Sequence, residues 1–182
     1  MLVVAVAVCG SVVAKAPKDK QLIGEWQFDP TTVSQMLGMG EALPEEIKVL
    51  DVDALLILER GDKAQFVADV NMSMEVEASV SIILSFNITF SCIWSYEDES
   101  LKVNVESYDF SVKNLAIDPA DPEFEQMLPF ILPAMEKALA EEMDDSLRSV
   151  EVINDGAVEL ISNDELKITE RETNATMTLT RK

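Results

Sequence analysis

Residues 64–96 read AQFVADVNMSMEVEASVSIILSFNITFSCIWSY, and their alternation decides the fold. Ala64, Phe66, Ala68, Val70, Met72, Met74 and Val76 fall on one side of an extended chain, against Gln65, Asp69, Asn71, Ser73 and Glu75 on the other. The pattern repeats with Val80, Ile82, Leu84, Phe86, Ile88, Phe90, Cys92, Trp94 and Tyr96 opposite Ser79, Ser81, Ser85, Asn87, Thr89, Ser91 and Ser95. Period two over such a length predicts long antiparallel strands with one face buried and the other wet. The second run would span ~60 Å if straight, more than a usual strand, so a bend or bulge is expected near Asn87.

Working outward, Leu22–Phe28 reads as a first strand ended by Asp29-Pro30-Thr31-Thr32. Residues 31–38 fit a short helix presenting Val33, Met36 and Leu37 and stopped by Gly38 and Gly40; Pro44-Glu45-Glu46 fits a further helical turn. A strand at 53–59 follows, then a tight turn at Gly61-Asp62 and a connection at Glu77-Ala78. Beyond the Asp98-Glu99 turn, Leu101, Val103 and Val105 give way to Tyr108, Phe110 and Val112, a slip of phase that predicts a bulge at Glu106-Ser107. Phe124, Met127, Leu128, Ile131, Met135, Leu139, Met143 and Leu147 then take helical spacing, so residues 121–147 are expected to form a long amphipathic helix. Asp121 caps it and Pro122 fits its first turn, whereas Pro129 and Pro133 are expected to break or kink it. Strands at 148–153, 156–162, 164–170 and 175–181 close the chain, the first two separated by an Asn154-Asp155-Gly156 turn. The sum is an all-β fold with added helices: about nine or ten antiparallel strands in an up-and-down barrel or strongly curved sheet, which leaves few exposed edges.

The 182 residues suit one domain. With 34 acidic against 14 basic residues the formal charge is −20, so the chain lacks the basic face nucleic acid needs and is repelled by anionic membranes. Histidine is absent, which removes the imidazole base and the commonest zinc, copper and haem ligand. The adjacent carboxylates Glu45-Glu46, Asp98-Glu99, Asp144-Asp145 and Asp164-Glu165 sit where turns and helix ends are expected, and solvation explains them. Asp118, Asp121, Glu123 and Glu125 offer oxygen ligands without the glycine or register of an EF-hand loop, and helix capping accounts for them better than calcium. No catalytic residue, no metal site and no cofactor is expected, and the protein partner is left open. Cys9 and Cys92 form no disulfide framework, and Cys92 reads as a small buried hydrophobe.

Met1–Ala16, MLVVAVAVCGSVVAKA, has the length of a signal-peptide apolar region and is too short to span a bilayer. Val6-Ala7-Val8-Cys9-Gly10-Ser11 is similar to a lipobox, which makes Cys9 the lipidation candidate; Ala14-Lys15-Ala16 fits ordinary signal peptidase; a first β-strand is the third reading. Export follows from the first two, to the periplasm, to the outer membrane as an anchored lipoprotein, or by secretion. Membrane contact is expected through the lipid anchor alone.

Gly24-Glu25-Trp26 resembles the Gly-x-Trp opening of lipocalins, and Thr178-Leu179-Thr180-Arg181 looks like the last strand of lipocalin-like domains of exported bacterial lipoproteins. In that family the tryptophan packs at the closed end of the barrel with a late-strand arginine across it, which pairs Trp26 with Arg181 here. The resemblance implies a lipocalin-like domain over residues 17–182 after a signal or lipoprotein segment at 1–16, binding a small hydrophobic ligand. Met72, Met74, Phe86, Phe90, Trp94, Tyr96 and Phe110 would then line the pocket, on the concave side of the sheet. The same stripe also suits a filled core packed by Met127, Ile131 and Met135, leaving a structural or protein-interaction module of the cell envelope.

Overall fold

The computed structural model describes residues 17–36, 46–77, 80–119, 121–148 and 150–182. The expectations for Met1–Ala16 with Cys9, for Leu37, Gly38 and Gly40, for Pro44-Glu45 and for Ala78 lie outside them. In chain order the elements are α1 (Asp19–Leu22), β1 (Gly24–Phe28), α2 (Pro30–Met36), β2 (Ile47–Leu58), β3 (Lys63–Glu77), β4 (Val80–Glu97), β5 (Ser100–Asp118), α3 (Pro122–Arg148), β6 (Ile153–Ser162), β7 (Glu165–Glu170) and β8 (Thr176–Arg181). The strands follow one another around a closed antiparallel barrel, and β8 pairs back on β1 through Trp26↔Arg181 and Phe28↔Leu179.

The alternation of residues 64–96 is what turns the sheet into a barrel. Phe66, Ala68 and Val70 of β3 and Phe86, Ile88, Phe90, Cys92 and Trp94 of β4 are all buried on one face, together with Leu56, Leu58, Leu101, Ile153, Leu166, Ile168 and Leu179 from around the ring. Phe28 meets Phe66 edge-on at 5.4 Å, and Phe66 meets Phe90 at 5.9 Å, so aromatic rings tie three sides of the interior together.

The ring is lopsided. β3, β4 and β5 hold 15, 18 and 19 residues, whereas β1, β7 and β8 hold five or six, so the long strands outrun the rest as a blade beyond the barrel proper. β6 pairs with β5 only between Ser100 and Val103, which leaves the remainder of β5 as a free edge. α3 lies along that edge: Glu136 Oε1 accepts the Val112 amide at 3.1 Å, and the Tyr108 hydroxyl donates to Asp144. A helix thus covers backbone groups that a strand would otherwise template.

Several expectations change. Eight strands are present among the described residues, fewer than the nine or ten counted from the pattern. Of the strand expected at 148–153, Arg148 instead ends α3 and Ile153 opens β6, and Asn154-Asp155-Gly156 lies inside β6. Gly156 is needed there for close approach, since a Cβ would stand 2.5 Å from Ile168 Cγ2 and 2.8 Å from Ile153 Cγ2. β2 begins at Ile47; the register shift between Val49 and Asp51 leaves Leu50 as an extra residue, which breaks the alternation that marks a strand. β5 continues to Asp118 through two bulges. One falls at Glu106, and the other, at Lys113, lies opposite the Ser85/Phe86 step, next to Asn87. α3 runs as one helix through Pro129 and Pro133. Each proline deprives the carbonyl four residues earlier of its donor, but those residues, Glu125 and Pro129, are exposed and water can serve them. Asp121 does cap α3, accepting the Glu123 amide at 2.9 Å.

The β4–β5 hairpin turns on Asp98 and Glu99, both at positive φ (50° and 64°). Two-residue hairpins favour that backbone, yet it strains side-chain-bearing residues by ~1–2 kcal/mol each. Asp98→Asn with Glu99→Gly is therefore expected to raise stability by ~1 kcal/mol, read as a higher denaturation midpoint in urea at unchanged slope.

Candidate functional site

The closed end is locked by one arginine. Arg181 places its guanidinium carbon 4.3 Å over the Trp26 ring, donates through Nη2 to Gln21 O (2.8 Å) and Nη1 to Ile23 O (3.2 Å), and through Nε to Asn163 O (3.2 Å). Trp26 is fully buried and donates Nε1–H to the Leu22 carbonyl at 2.6 Å, so α1 is fastened across the barrel floor from both sides. Gly24 makes room for this. A Cβ there would stand 2.6 Å from Arg181 Nη1, and its φ of +141° excludes most side chains.

The seven residues of the concave stripe divide between two environments. Phe86, Phe90 and Trp94 are buried, with Trp94 Nε1 donating to Glu59 O at 3.0 Å. Tyr96 is half-buried near the floor, and its buried hydroxyl has no hydrogen-bond partner among the described residues. Met72 and Phe110 are half-buried on the blade, and Met74 is 39% exposed. Phe86 stacks on Phe110 at 5.5 Å and Phe90 lies 6.3 Å from Tyr108, so filled barrel passes gradually into open blade.

The helix meets that blade incompletely. Phe124, Leu128, Ile131, Met135 and Leu139 of α3 are only half-buried, and Leu147 alone of its described side chains joins the barrel core. Among the helical residues expected to fill the core, Met127 points outward at 51% exposure, and Phe130 beside it is 82% exposed. Between Ala140 of α3 and Val105–Phe110 of β5 lies a cleft of about 630 Å³, a volume suited to a small molecule. The contacts Tyr108–Asp144 and Val112–Glu136 that set its width are invisible to sequence reading, because β5 and α3 meet only once β6 has stopped short. Asp144, read with Asp145 as a solvated pair, was the one signal available.

Cys92 is 4% exposed, and burial pushes its thiol up to about 11, with the Phe66 amide acting the other way and the charge of Glu106 adding to the rise. The native state therefore holds this proton more tightly than the unfolded chain does. The corresponding stability is complete below the ordinary thiol value of 9.0 and is lost as pH climbs through about 11. Burial first, then Glu99 and Asp19, raise Tyr96 in the same sense. Stability is expected to fall by ~2 kcal/mol more between pH 8 and 11 in the natural chain than in Cys92→Val, as measured by urea denaturation, and native Cys92 should resist iodoacetamide at pH 8.

No protein-family model matches the chain, and no curated protein matches it. The reading of the site therefore rests on its geometry.

Proposed function

We propose that the protein is a lipocalin-like binding module that holds a small hydrophobic molecule at the open end of its barrel, between α3 and the inner face of the β3–β5 blade. One observation carries this: the apolar face of α3 and the inner side chains Met72, Leu84 and Phe110 are each left half-buried, although the barrel below them is packed shut. Leaving that much apolar surface uncovered is costly at ~25 cal/mol per Å², and a ligand between the two faces removes the cost. The cleft wall also carries Glu106 and Asp109, with Glu136 and Asp144 on the helix, so an uncharged molecule is favoured over an anion. The Gly24-Glu25-Trp26 opening, the sequential ring of strands and Arg181 over Trp26 support the family reading, and Met1–Ala16 supports export.

We read the role as binding rather than catalysis, a reading supported by Asp155, Asp144, Glu136 and Asp121 each being engaged in a hydrogen bond within the fold. Titration with Nile red, an uncharged fluorophore, should give saturable one-to-one binding with blue-shifted emission. A linear, unsaturable response would contradict the proposal. It would favour the second reading, a protein-interaction module, for which exposed Met127 and Phe130 on α3 and Met74 and Val76 on β3 are the observation in favour.

A further inference from the structure

We propose that the closed end carries a second site, a cleft for a small organic monoanion with a planar apolar body, in which Lys20 and Arg60 take the acid group and Trp94 takes the body. The cleft measures about 530 Å³ and is lined by Asp19, Lys20, Ile23, Arg60, Gly61 and Trp94. Lys20 is brought by α1, which the Arg181 and Trp26 contacts hold in place; Arg60 and Gly61 come from the β2–β3 turn. Trp94 is fixed by its bond to Glu59 O in the same turn and reaches the cleft while remaining 93% covered, its exposure being 7%. Gly61, at φ +91°, has nothing within 4 Å of where a Cβ would stand, so the turn leaves the mouth open.

The charges are what single this cleft out. In a chain of net charge −20, Arg171 and Arg181 both engage carbonyl and carboxylate oxygens. Lys20 and Arg60 make no hydrogen bond or ion pair among the described residues, although Asp19 adjoins the first and Glu59 and Asp62 flank the second. Among the residues that line the cleft, two unpaired cations stand against the single carboxylate of Asp19, while Glu59 and Asp62 flank the turn outside the lining. A monoanion satisfies both cations by charge-assisted hydrogen bonds, and the indole offers an apolar wall beside them. A further donor lies close by. Tyr96 follows Trp94 by two residues on the same face of β4, and its buried hydroxyl lacks a partner among the described residues.

The inference does not depend on the open-end site, and the two take opposite ligands. Isothermal titration with 2-naphthoate, followed in parallel by tryptophan emission, should show saturable binding. Affinity should drop more than tenfold in Lys20→Gln/Arg60→Gln and in raised salt, and should be unchanged in Lys137→Gln, which removes an exposed cation from α3. The uncharged analogue 2-naphthalenemethanol should bind at least tenfold more weakly. Equal affinity for acid and alcohol, unaltered affinity in the double variant, or no saturable binding would each overturn the proposal. Both substituted side chains are exposed, so the variant should keep the native circular dichroism, and Trp94→Phe gives a second test that retains the apolar wall.

Discussion

Trp26→Ala is expected to destabilise the protein by about 3–5 kcal/mol, a large part of the 5–15 kcal/mol that a domain usually has. Three losses coincide at this position. The indole is fully buried, so its removal leaves a cavity at the barrel floor. The Leu22 carbonyl loses the donor that meets it at 2.6 Å, and Arg181 loses the ring 4.3 Å beneath its guanidinium. Arg181 would still reach Gln21 and Ile23, but without the flat surface that orients it. Urea denaturation should show the midpoint falling at constant slope. Trp26→Phe, which keeps a ring and removes only the donor, should cost ~1–3 kcal/mol. A loss below 1 kcal/mol for the alanine variant would show that Trp26 does not hold the floor together.

Phe110→Asp is expected to reduce Nile red affinity at least ~100-fold, or ~2.7 kcal/mol, by placing a carboxylate against Phe86 on the blade's inner face. Since Phe110 also packs on the core fringe, the fold itself has to be controlled for. Met135→Asp does this. Its side chain is half-buried on α3 outside the barrel core, so stability should move by less than ~1 kcal/mol while affinity falls tenfold or more. Unchanged affinity in both variants would place any bound dye elsewhere.

The barrel was legible because residues 64–96 repeat a period-two pattern that no helix can satisfy, and the phase slip at Glu106 betrayed its own bulge. What escaped notice shares a cause. Leu50 interrupts the alternation of β2 as a bulge, and Gly156 imitates a turn residue although it serves close packing against Ile153 and Ile168. Both are facts about a neighbouring strand, which a linear pattern does not carry. The prolines of α3 do not break it, because the rule concerns a lost hydrogen bond and here the deprived carbonyls lie on the wet side. Of the stripe proposed as a pocket, the alternation placed every member on one face. It could not say which members the short strands β6–β8 would bury and which the blade would leave half open, because that depends on where β6 stops pairing with β5.

The central claim is that an apolar molecule sits between α3 and the blade, above a barrel already filled. Paramagnetic relaxation by a nitroxide-labelled fatty-acid methyl ester, read on assigned backbone amides, tests it most directly. Broadening should concentrate on residues 105–112 of β5, residues 82–86 of β4 and residues 128–140 of α3, and spare Trp26, Leu166 and Leu179 at the packed end. Broadening centred on those packed residues, or spread evenly over the surface, would contradict it.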